Sequence, residues 1–176
     1  MAGVQESRTV GTGPALADDG GPIGVIDVQL AVTARNTELL RRRAREPGEL
    51  DRAAYLILRA LGRLSSADIN ELATVLGLDA STVGRQVAAL ADQGLVRREP
   101  APDDRRRSVV SATADGRDRA ALTSALRQGR TRELLAGWDD ESLAEFAGLL
   151  ARYNAAVAAH YMTGLHLDST GPDEAD

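Results

Sequence analysis

The sequence contains no cysteine, no lysine and only two histidines, and aromatic residues make up only 3% of it. Without cysteine there can be no disulfide, thiolate nucleophile or thiolate metal ligand, and two histidines alone do not predict a zinc site. With so few rings, the core must consist of leucine, valine, isoleucine and alanine, which favours helices over sheets. No apolar run approaches the roughly 18 residues of a membrane span, and no secretion signal is evident. We therefore expect a soluble, cytoplasmic protein with no membrane partner, no metal and no other cofactor.

Charge is distributed unevenly along the chain, and this distribution matters more than the net charge of −5. Residues 35–132 contain 19 arginines and 13 acidic residues, whereas the rest of the chain contains 2 arginines and 13 acidic residues. An excess of arginine in one continuous segment is typical of a nucleic-acid-binding surface, because guanidinium groups offer paired donors to phosphate and guanine. The acidic total therefore does not exclude a DNA-binding protein.

The length of 176 residues suits one domain with helical extensions, and local patterns divide the chain into five segments. Two tails without any apolar period are predicted to be disordered, and two helical segments flank a central domain. In chain order these are a tail at 1–23, a helical segment at 24–49, the central domain at 50–113, a helical segment at 114–167 and an acidic tail at 168–176. Within them, apolar residues at helical spacing predict long helices at 25–45, 113–136 and 140–165.

The central domain has the pattern of a helix-turn-helix followed by a β-hairpin. After a helix at residues 50–63, Asp68 and Glu71 have the spacing of a capping box at the start of a short helix. That helix ends near a glycine, and a second capped helix follows at residues 80–93. Two short helices joined by a glycine-containing turn predict a helix-turn-helix. β-branched residues at 95–98 and 108–111 predict the two strands of the hairpin. The predicted fold is mainly α with a small β-hairpin wing.

One face of the helix at residues 80–93 is short, polar and rich in hydrogen-bonding groups. Ser81 and Thr82 can bind phosphates or base edges, Arg85 can bind guanine through its two donors, and Gln86 can pair with adenine. An isolated helix with such a face is most often an ordinary solvated surface. The capped helix before it, the glycine turn and the arginine-rich hairpin after it favour DNA recognition.

The hairpin tip carries three successive arginines, Arg105, Arg106 and Arg107, after two aspartates. Guanidinium groups on a narrow loop fit a DNA minor groove, where negative potential is concentrated. We expect Asp104 to pair with a nearby arginine and to fix the shape of the loop. Taken alone, the tip fits a charged surface turn equally well.

The central domain and the start of the next helix contain a series of short motifs. These are Tyr-Leu-Ile-Leu-Arg-Ala-Leu at 55–61, Ile-Asn-Glu-Leu-Ala at 69–73, Leu-Gly-Leu at 76–78, Ser-Thr-Val at 81–83, Leu90, Gly-Leu-Val-Arg-Arg at 94–98, Asp-Asp-Arg-Arg at 103–106, Val-Ser-Ala-Thr at 110–113 and Asp-Gly-Arg at 115–117. Together they resemble the multiple antibiotic resistance regulator (MarR) family of winged helix-turn-helix transcriptional regulators. The resemblance spans residues 50–120 without a gap.

The resemblance implies a homodimer on a pseudo-palindromic double-stranded DNA operator. One recognition helix of each protomer would enter a major groove, and the wing beside it would enter the minor groove. On this basis Ser81, Thr82, Arg85 and Gln86 match recognition-helix positions. Asp104 matches the wing aspartate and Arg106 the arginine that reaches the minor groove, and Arg105 and Arg107 are further candidates.

The first and last helices have apolar stripes that the small central domain does not need, so we expect them to form the dimer interface. Covering the domain's own core is the alternative role. The candidate interface residues are Ile26, Leu30, Leu150, Tyr153, Val157 and Tyr161. The resemblance also implies a small aromatic or phenolic effector between the dimer helices and the DNA-binding domain. Its candidate contacts, each of which also fits a core or interface role, are Tyr55, Trp138, Tyr153 and His160.

Three functional classes are compatible with the sequence: a sequence-specific repressor, a nonspecific or architectural DNA-binding protein, and a winged-helix module that binds an acidic protein. An enzyme is not expected, because no nucleophile with a base, metal cluster or phosphate-binding loop is evident. The resemblance favours the repressor.

Overall fold

The computed structural model describes residues 21–43, 46–101 and 107–161. The elements in chain order are α1 (Gly21–Arg43), α2 (Arg52–Leu64), β1 (Ser66–Ala67), α3 (Ile69–Leu76), α4 (Ala80–Asp92), β2 (Val96–Pro100), β3 (Ser108–Ala112), α5 (Ala114–Leu134) and α6 (Asp140–Tyr161). The chain divides into two compact units, residues 1–45 with α1 and residues 46–176 with all other described elements.

The core of the second unit lies where α2, α3 and α4 pack against one another and against the small sheet. Each of these helices has apolar residues three and four positions apart, so one stripe of each faces inward. Leu72 of α3 and Val83 and Val87 of α4 are completely buried. The core consists of aliphatic side chains, as the low aromatic content predicts. Its largest buried members are Ile57, Leu61, Leu72, Leu90, Leu95, Val83, Val87 and Val110.

The helix-turn-helix is formed by α3 and α4, and its boundaries follow from capping groups. Asp68 and Glu71 form the expected capping box at the start of α3: Asp68 Oδ1 accepts from the Glu71 amide at 2.9 Å, and Glu71 Oε2 accepts from the Asp68 amide at 2.7 Å. The helix ends at Gly77, whose φ of 64° is left-handed. The Leu78 amide then donates to the Ala73 carbonyl at 3.0 Å, which closes the turn before α4.

The sheet has three antiparallel strands in the order β1-β3-β2, whereas the sequence predicted only the two hairpin strands. Val96 pairs with Ala112 and Pro100 with Ser108, which forms the predicted hairpin. The third strand, Ser66–Ala67, pairs with Ser111 and Val110. A strand of two residues is too short to show an alternating pattern, so β1 cannot be recognised from the sequence alone.

The start of α5 is bound tightly to the turn between α4 and β2. Thr113 caps α5 by accepting from the Gly116 amide at 3.0 Å, and its hydroxyl donates to the Gly94 carbonyl at 2.8 Å. Gly116 lies against the backbone of Leu95, because a Cβ at position 116 would be 2.0 Å from the Leu95 carbonyl oxygen. The close approach therefore requires glycine.

The segment before α2 is anchored to the middle of α5. The buried Glu49 carboxylate accepts two hydrogen bonds from Arg130, at 2.6 and 2.8 Å, and the Leu50 amide donates to the buried Thr123 hydroxyl at 3.0 Å. The hydrogen bonds from Arg130 are the main cause that lowers the pKa of Glu49. These contacts join the segment at residues 46–50 to α5, and both lie in the second compact unit.

The long helices also differ from the sequence expectation at their ends. α1 begins at Gly21, whereas the sequence placed the start of the helical segment at residue 24. Pro22 lies in the first turn of this helix, where its fixed φ is tolerated. α5 ends at Leu134, two residues before the predicted end at residue 136. The predicted ends at 45 and 165 lie outside the described residues.

Candidate nucleic-acid interface

One face of helix α4 is buried in the core, and the opposite face is polar and accessible to solvent. Val83, Val87 and Leu90 are buried in the core, and all four predicted recognition residues lie off that stripe. Ser81 and Arg85 are exposed, and Thr82 and Gln86 are half-buried. The structure therefore brings Ser81, Thr82, Arg85 and Gln86 together on one surface, at the start and middle of the helix.

Asp79 organises the first turn of α4. Its Oδ1 accepts from the Thr82 amide at 2.7 Å and from the Ser81 hydroxyl at 2.6 Å. These bonds, from the Ser81 hydroxyl first and then from Thr82, hold the pKa of Asp79 well below its usual range. Arg85 Nη2 donates to Thr82 Oγ1 at 2.9 Å. The guanidinium is thus held along the helix surface.

The wing, formed by β2 and β3, lies beside α4. The Ala101 amide donates to the Arg107 carbonyl at 2.9 Å, which closes the hairpin below its tip. The tip itself, with the predicted Asp104, Arg105 and Arg106, lies at residues 102–106, outside the described residues. Arg107 lies within them, and its Nη2 donates to Asp68 Oδ2 at 2.8 Å.

Two further arginines, which sequence reasoning did not assign to the interface, lie on β2. Arg98 Nη2 donates to the Gly84 carbonyl of α4 at 3.3 Å, so it links the wing directly to the recognition helix. Arg97 bonds the Ser111 hydroxyl at 3.1 Å and lies 3.3 Å from Glu99. Adjacent strand residues point to opposite faces, so two successive arginines on the strand that follows α4 place one of them on the side of the helix. This pair was the signal that could have identified Arg98.

A second concave surface lies between α2, α5 and the start of α6. It is an open cleft of about 620 Å³, into which polar, cationic and aromatic side chains project. The Arg127 guanidinium lies 4.5 Å from the centroid of the Tyr55 ring, and the Trp138 ring meets Phe146 edge-on at 5.4 Å. The cleft is lined by Tyr55, Arg59, Ser124, Arg127, Gln128, Thr131, Arg132, Leu135, Ala136, Trp138, Asp140 and Leu143.

Two of the four predicted effector contacts, Tyr55 and Trp138, line this cleft, and Tyr153 and His160 are not among its lining residues. Tyr153 is exposed on α6, and the His160 ring packs edge-on against Tyr161 at 4.6 Å. The cleft instead contains arginines that no local sequence pattern selects, because they come from helices whose packing was not predicted.

No residue of α1 or α6, over the described spans of both helices, is buried. The predicted interface residues of α6 form a stripe at intervals of three and four, and all of them are exposed: Leu150, Tyr153, Val157 and Tyr161. On α1, Ile26 is exposed and Leu30 half-buried.

Within residues 21–43, 46–101 and 107–161, no three His, Asp or Glu side chains are grouped closely enough to hold a metal ion. Over the same residues, none of the helices combines the length and apolarity needed to cross a bilayer.

Known proteins resemble this chain in sequence and in fold. Residues 49–107 match the sequence profile of the MarR family. The uncharacterized HTH-type transcriptional regulator YxaD of Bacillus subtilis (strain 168) is 33% identical over 135 residues, which cover 77% of this chain and 94% of YxaD.

Two solved structures share the fold. A mutant of MarR from E. coli, complexed with operator DNA, is 23% identical, with a TM-score of 0.61 over 74% of this chain and 94% of that one. A structure concerning regulation of DNA binding of Bordetella bronchiseptica BpsR by 6-hydroxynicotinic acid is 18% identical, with a TM-score of 0.62 over 74% and 98% of the two chains.

Proposed function

Because the chain belongs to the MarR family of transcriptional regulators, we propose that it represses transcription as a homodimer bound to a pseudo-palindromic DNA operator. The observation that carries this proposal is the outer face of α4. Its polar side chains stand on a helix whose opposite face is buried in the core, so they are held in place before DNA arrives. A rigid, hydrogen-bonding helix face of this kind suits readout of base edges in a major groove.

In this proposal Arg85 and Gln86 read base edges, and Ser81 and Thr82 contact the DNA at the start of the helix. The wing enters the adjacent minor groove, with Arg106 as the inserted side chain and Asp104 as the residue that shapes the loop. The wing assignments rest on the resemblance of residues 103–106 to the family pattern. Arg98 supports them, because its bond to the Gly84 carbonyl fixes the wing relative to α4.

The dimer is supported by the apolar stripes of α1 and α6. Exposed apolar side chains at helical spacing favour association, because burying them against a second copy removes them from water. We assign Ile26 and Leu30 of α1 and Leu150, Tyr153, Val157 and Tyr161 of α6 to this interface. A two-fold dimer would place two recognition helices in successive major grooves, roughly 10 base pairs apart.

We assign the effector to the cleft between α2, α5 and α6. Tyr55 and Trp138 provide aromatic surfaces, and the guanidinium groups of Arg59 and Arg132 provide donors for an anionic group. An aromatic acid carries both features, and the ligand named for BpsR is of that class. Binding there would release the protein from its operator.

The deciding experiment measures binding to the DNA upstream of the protein's own gene, in competition with unrelated DNA. We expect the operator complex to survive an excess of unrelated DNA and to protect two half-sites in a footprint. Arg85→Ala should weaken binding by about 1–3 kcal/mol and relax the base preference. Arg52→Ala, which removes the same charge from the first turn of α2, is the matched control and should bind normally. Equal competition by unrelated DNA would indicate an architectural DNA-binding protein, and no binding to any DNA would favour a protein-interaction module.

The effector assignment is tested through tryptophan fluorescence, since Trp138 is the only tryptophan of the chain. We expect an aromatic acid to change this fluorescence saturably and to lower operator affinity over the same concentration range. Arg132→Gln should weaken both effects together. An acid that releases the DNA without changing the fluorescence would place the effector elsewhere.

A further inference from the structure

The carboxylate of Asp68 is shared between the helix-turn-helix and the wing. Its Oδ1 accepts from the Glu71 amide and so caps α3, while its Oδ2 accepts from Arg107 Nη2 at 2.8 Å. The Glu71 amide and Arg107 together lower the pKa of Asp68, so it is ionised at neutral pH. Asp68 and Arg107 are 39 positions apart in sequence. Their contact therefore joins the start of α3 to the base of the wing.

This ion pair lies where backbone pairing to β1 has stopped. The last β1 pair is Ala67 with Val110, and Arg107 lies three residues further along the hairpin towards its tip. On the other strand, the buried Ala101 donates its amide to the Arg107 carbonyl. Arg107 is therefore bound through its backbone to the end of β2 and through its side chain to the start of α3.

We propose that Arg107 is a positioning residue for DNA recognition, which acts by anchoring the base of the wing to Asp68 rather than by contacting DNA. The inference rests on the proposed operator binding. It revises the sequence expectation for Arg107, whose guanidinium was a candidate for the minor groove. Ala101 and Arg107 are the described residues on either side of the tip, so anchoring both of them fixes the base of the wing from which any contact of the tip with DNA must be made.

Removing the charge of Asp68 distinguishes a DNA contact by Arg107 from a positioning role. If Arg107 contacted DNA, Asp68 would compete with phosphate for it, and removing the Asp68 charge would strengthen binding or leave it unchanged. If Arg107 acts through Asp68, removing either charge frees the base of the wing and weakens binding. The two roles therefore predict opposite effects of a change at residue 68.

The experiment compares Asp68→Asn, Arg107→Gln and the double variant on the DNA upstream of the protein's own gene, over a range of salt concentrations. Asparagine is as good a helix cap as aspartate, so Asp68→Asn keeps the α3 cap and removes only the ion pair. Glu71→Gln is the matched control, since it removes an acidic charge from the same helical turn and keeps an oxygen that can accept from the Asp68 amide. Thermal unfolding of each variant checks that the fold is retained.

We expect each single variant to raise the dissociation constant about two- to fivefold, in line with an ion pair that is partly exposed. The double variant should bind no worse than either single variant, Glu71→Gln should bind at least as well as wild type, and the salt dependence of binding should stay unchanged. Tighter or unchanged binding by Asp68→Asn, or a salt slope lowered by about one in Arg107→Gln, would show a direct DNA contact and overturn the proposal.

Wild-type binding is measured first, which separates the two hypotheses. Wild type that fails to prefer the upstream DNA overturns the proposed function, and the positioning role with it. Wild type that binds specifically while all three variants match it leaves the function standing and overturns the positioning role alone.

Discussion

Replacing Gly116 with alanine should destabilise the protein, although alanine normally stabilises a helix. A Cβ at this position would lie 2.0 Å from the Leu95 carbonyl oxygen, 2.9 Å from its carbon and 3.2 Å from Leu58 Cδ2. The two nearest atoms belong to backbone at the start of the wing, so no side chain can rotate away to make room. The first turn of α5 and the backbone at Leu95 must move apart by roughly 1 Å to reach an ordinary contact.

The size of the effect follows from the contacts that this movement disturbs. Overpacking of a close backbone contact costs about 1–3 kcal/mol, and stretching the Thr113–Leu95 backbone hydrogen bond, which is 3.1 Å long, costs about 1 kcal/mol more. Alanine regains about 1 kcal/mol in helix propensity. Since the last two contributions roughly cancel, we expect Gly116→Ala to lower the free energy of unfolding by about 1–3 kcal/mol.

The assay is equilibrium denaturation in guanidinium chloride at one fixed protein concentration, because association would make the midpoint concentration-dependent. Gly129→Ala on the same helix is the matched control. A Cβ there meets no atom within 4 Å, so the variant should be stabilised by about 0.5–1 kcal/mol. Two substitutions of the same kind in one helix thus have opposite expected signs. A Gly116→Ala protein as stable as wild type would refute the close approach of α5 to Leu95.

Three further predictions concern single residues. Gly77→Ala should cost about 1–2 kcal/mol of stability, measured by denaturation, because alanine is strained at a φ of 64°; an unchanged midpoint would mean that the turn adopts another conformation. Glu49→Gln should cost about 2 kcal/mol at neutral pH, because it removes the charge from the hydrogen bonds between residue 49 and the partly exposed Arg130. The pKa of Glu49 is lowered in the folded state, so this difference from wild type should be complete above about pH 5 and should shrink as the pH falls through the lowered pKa; a difference independent of pH would exclude the ion pair as its cause. Asp79→Ala should fray α4 and weaken operator binding, whereas Asp79→Asn should retain the cap, and equal binding by both variants would show that the cap is unimportant.

The sequence was sufficient for those parts of the fold that depend on local chemistry. The Asp68–Glu71 capping box, the left-handed Gly77 and the buried stripe of α4 are all encoded within a few residues, so they could be read directly. The polar face of α4 followed from the same periodicity, since whatever lies opposite a buried stripe must face outward.

The remaining parts depend on contacts between distant residues. Strand β1 has two residues and exists only through its pairing with β3, and the Glu49–Arg130 pair joins positions 81 residues apart. The same holds for Arg107, whose place in a run of arginines suggested a DNA contact and whose partner before α3 could not be inferred from neighbouring residues. Sequence patterns identify which side chains carry charge, and tertiary packing determines what each charge binds.

If α4 enters a major groove as proposed, the bond between Ser81 and Asp79 determines which groups of DNA the Ser81 side chain can bind. A hydroxyl group has a single proton, and Ser81 donates its proton to Asp79 Oδ1, so its oxygen can only accept a hydrogen bond from another partner. Phosphate oxygens are acceptors too, so Ser81 in this state is mismatched to the DNA backbone. It is matched to an amino group, such as N4 of cytosine or N6 of adenine in the major groove. A serine hydroxyl can both donate and accept, and the hydrogen bond to Asp79 leaves Ser81 able only to accept.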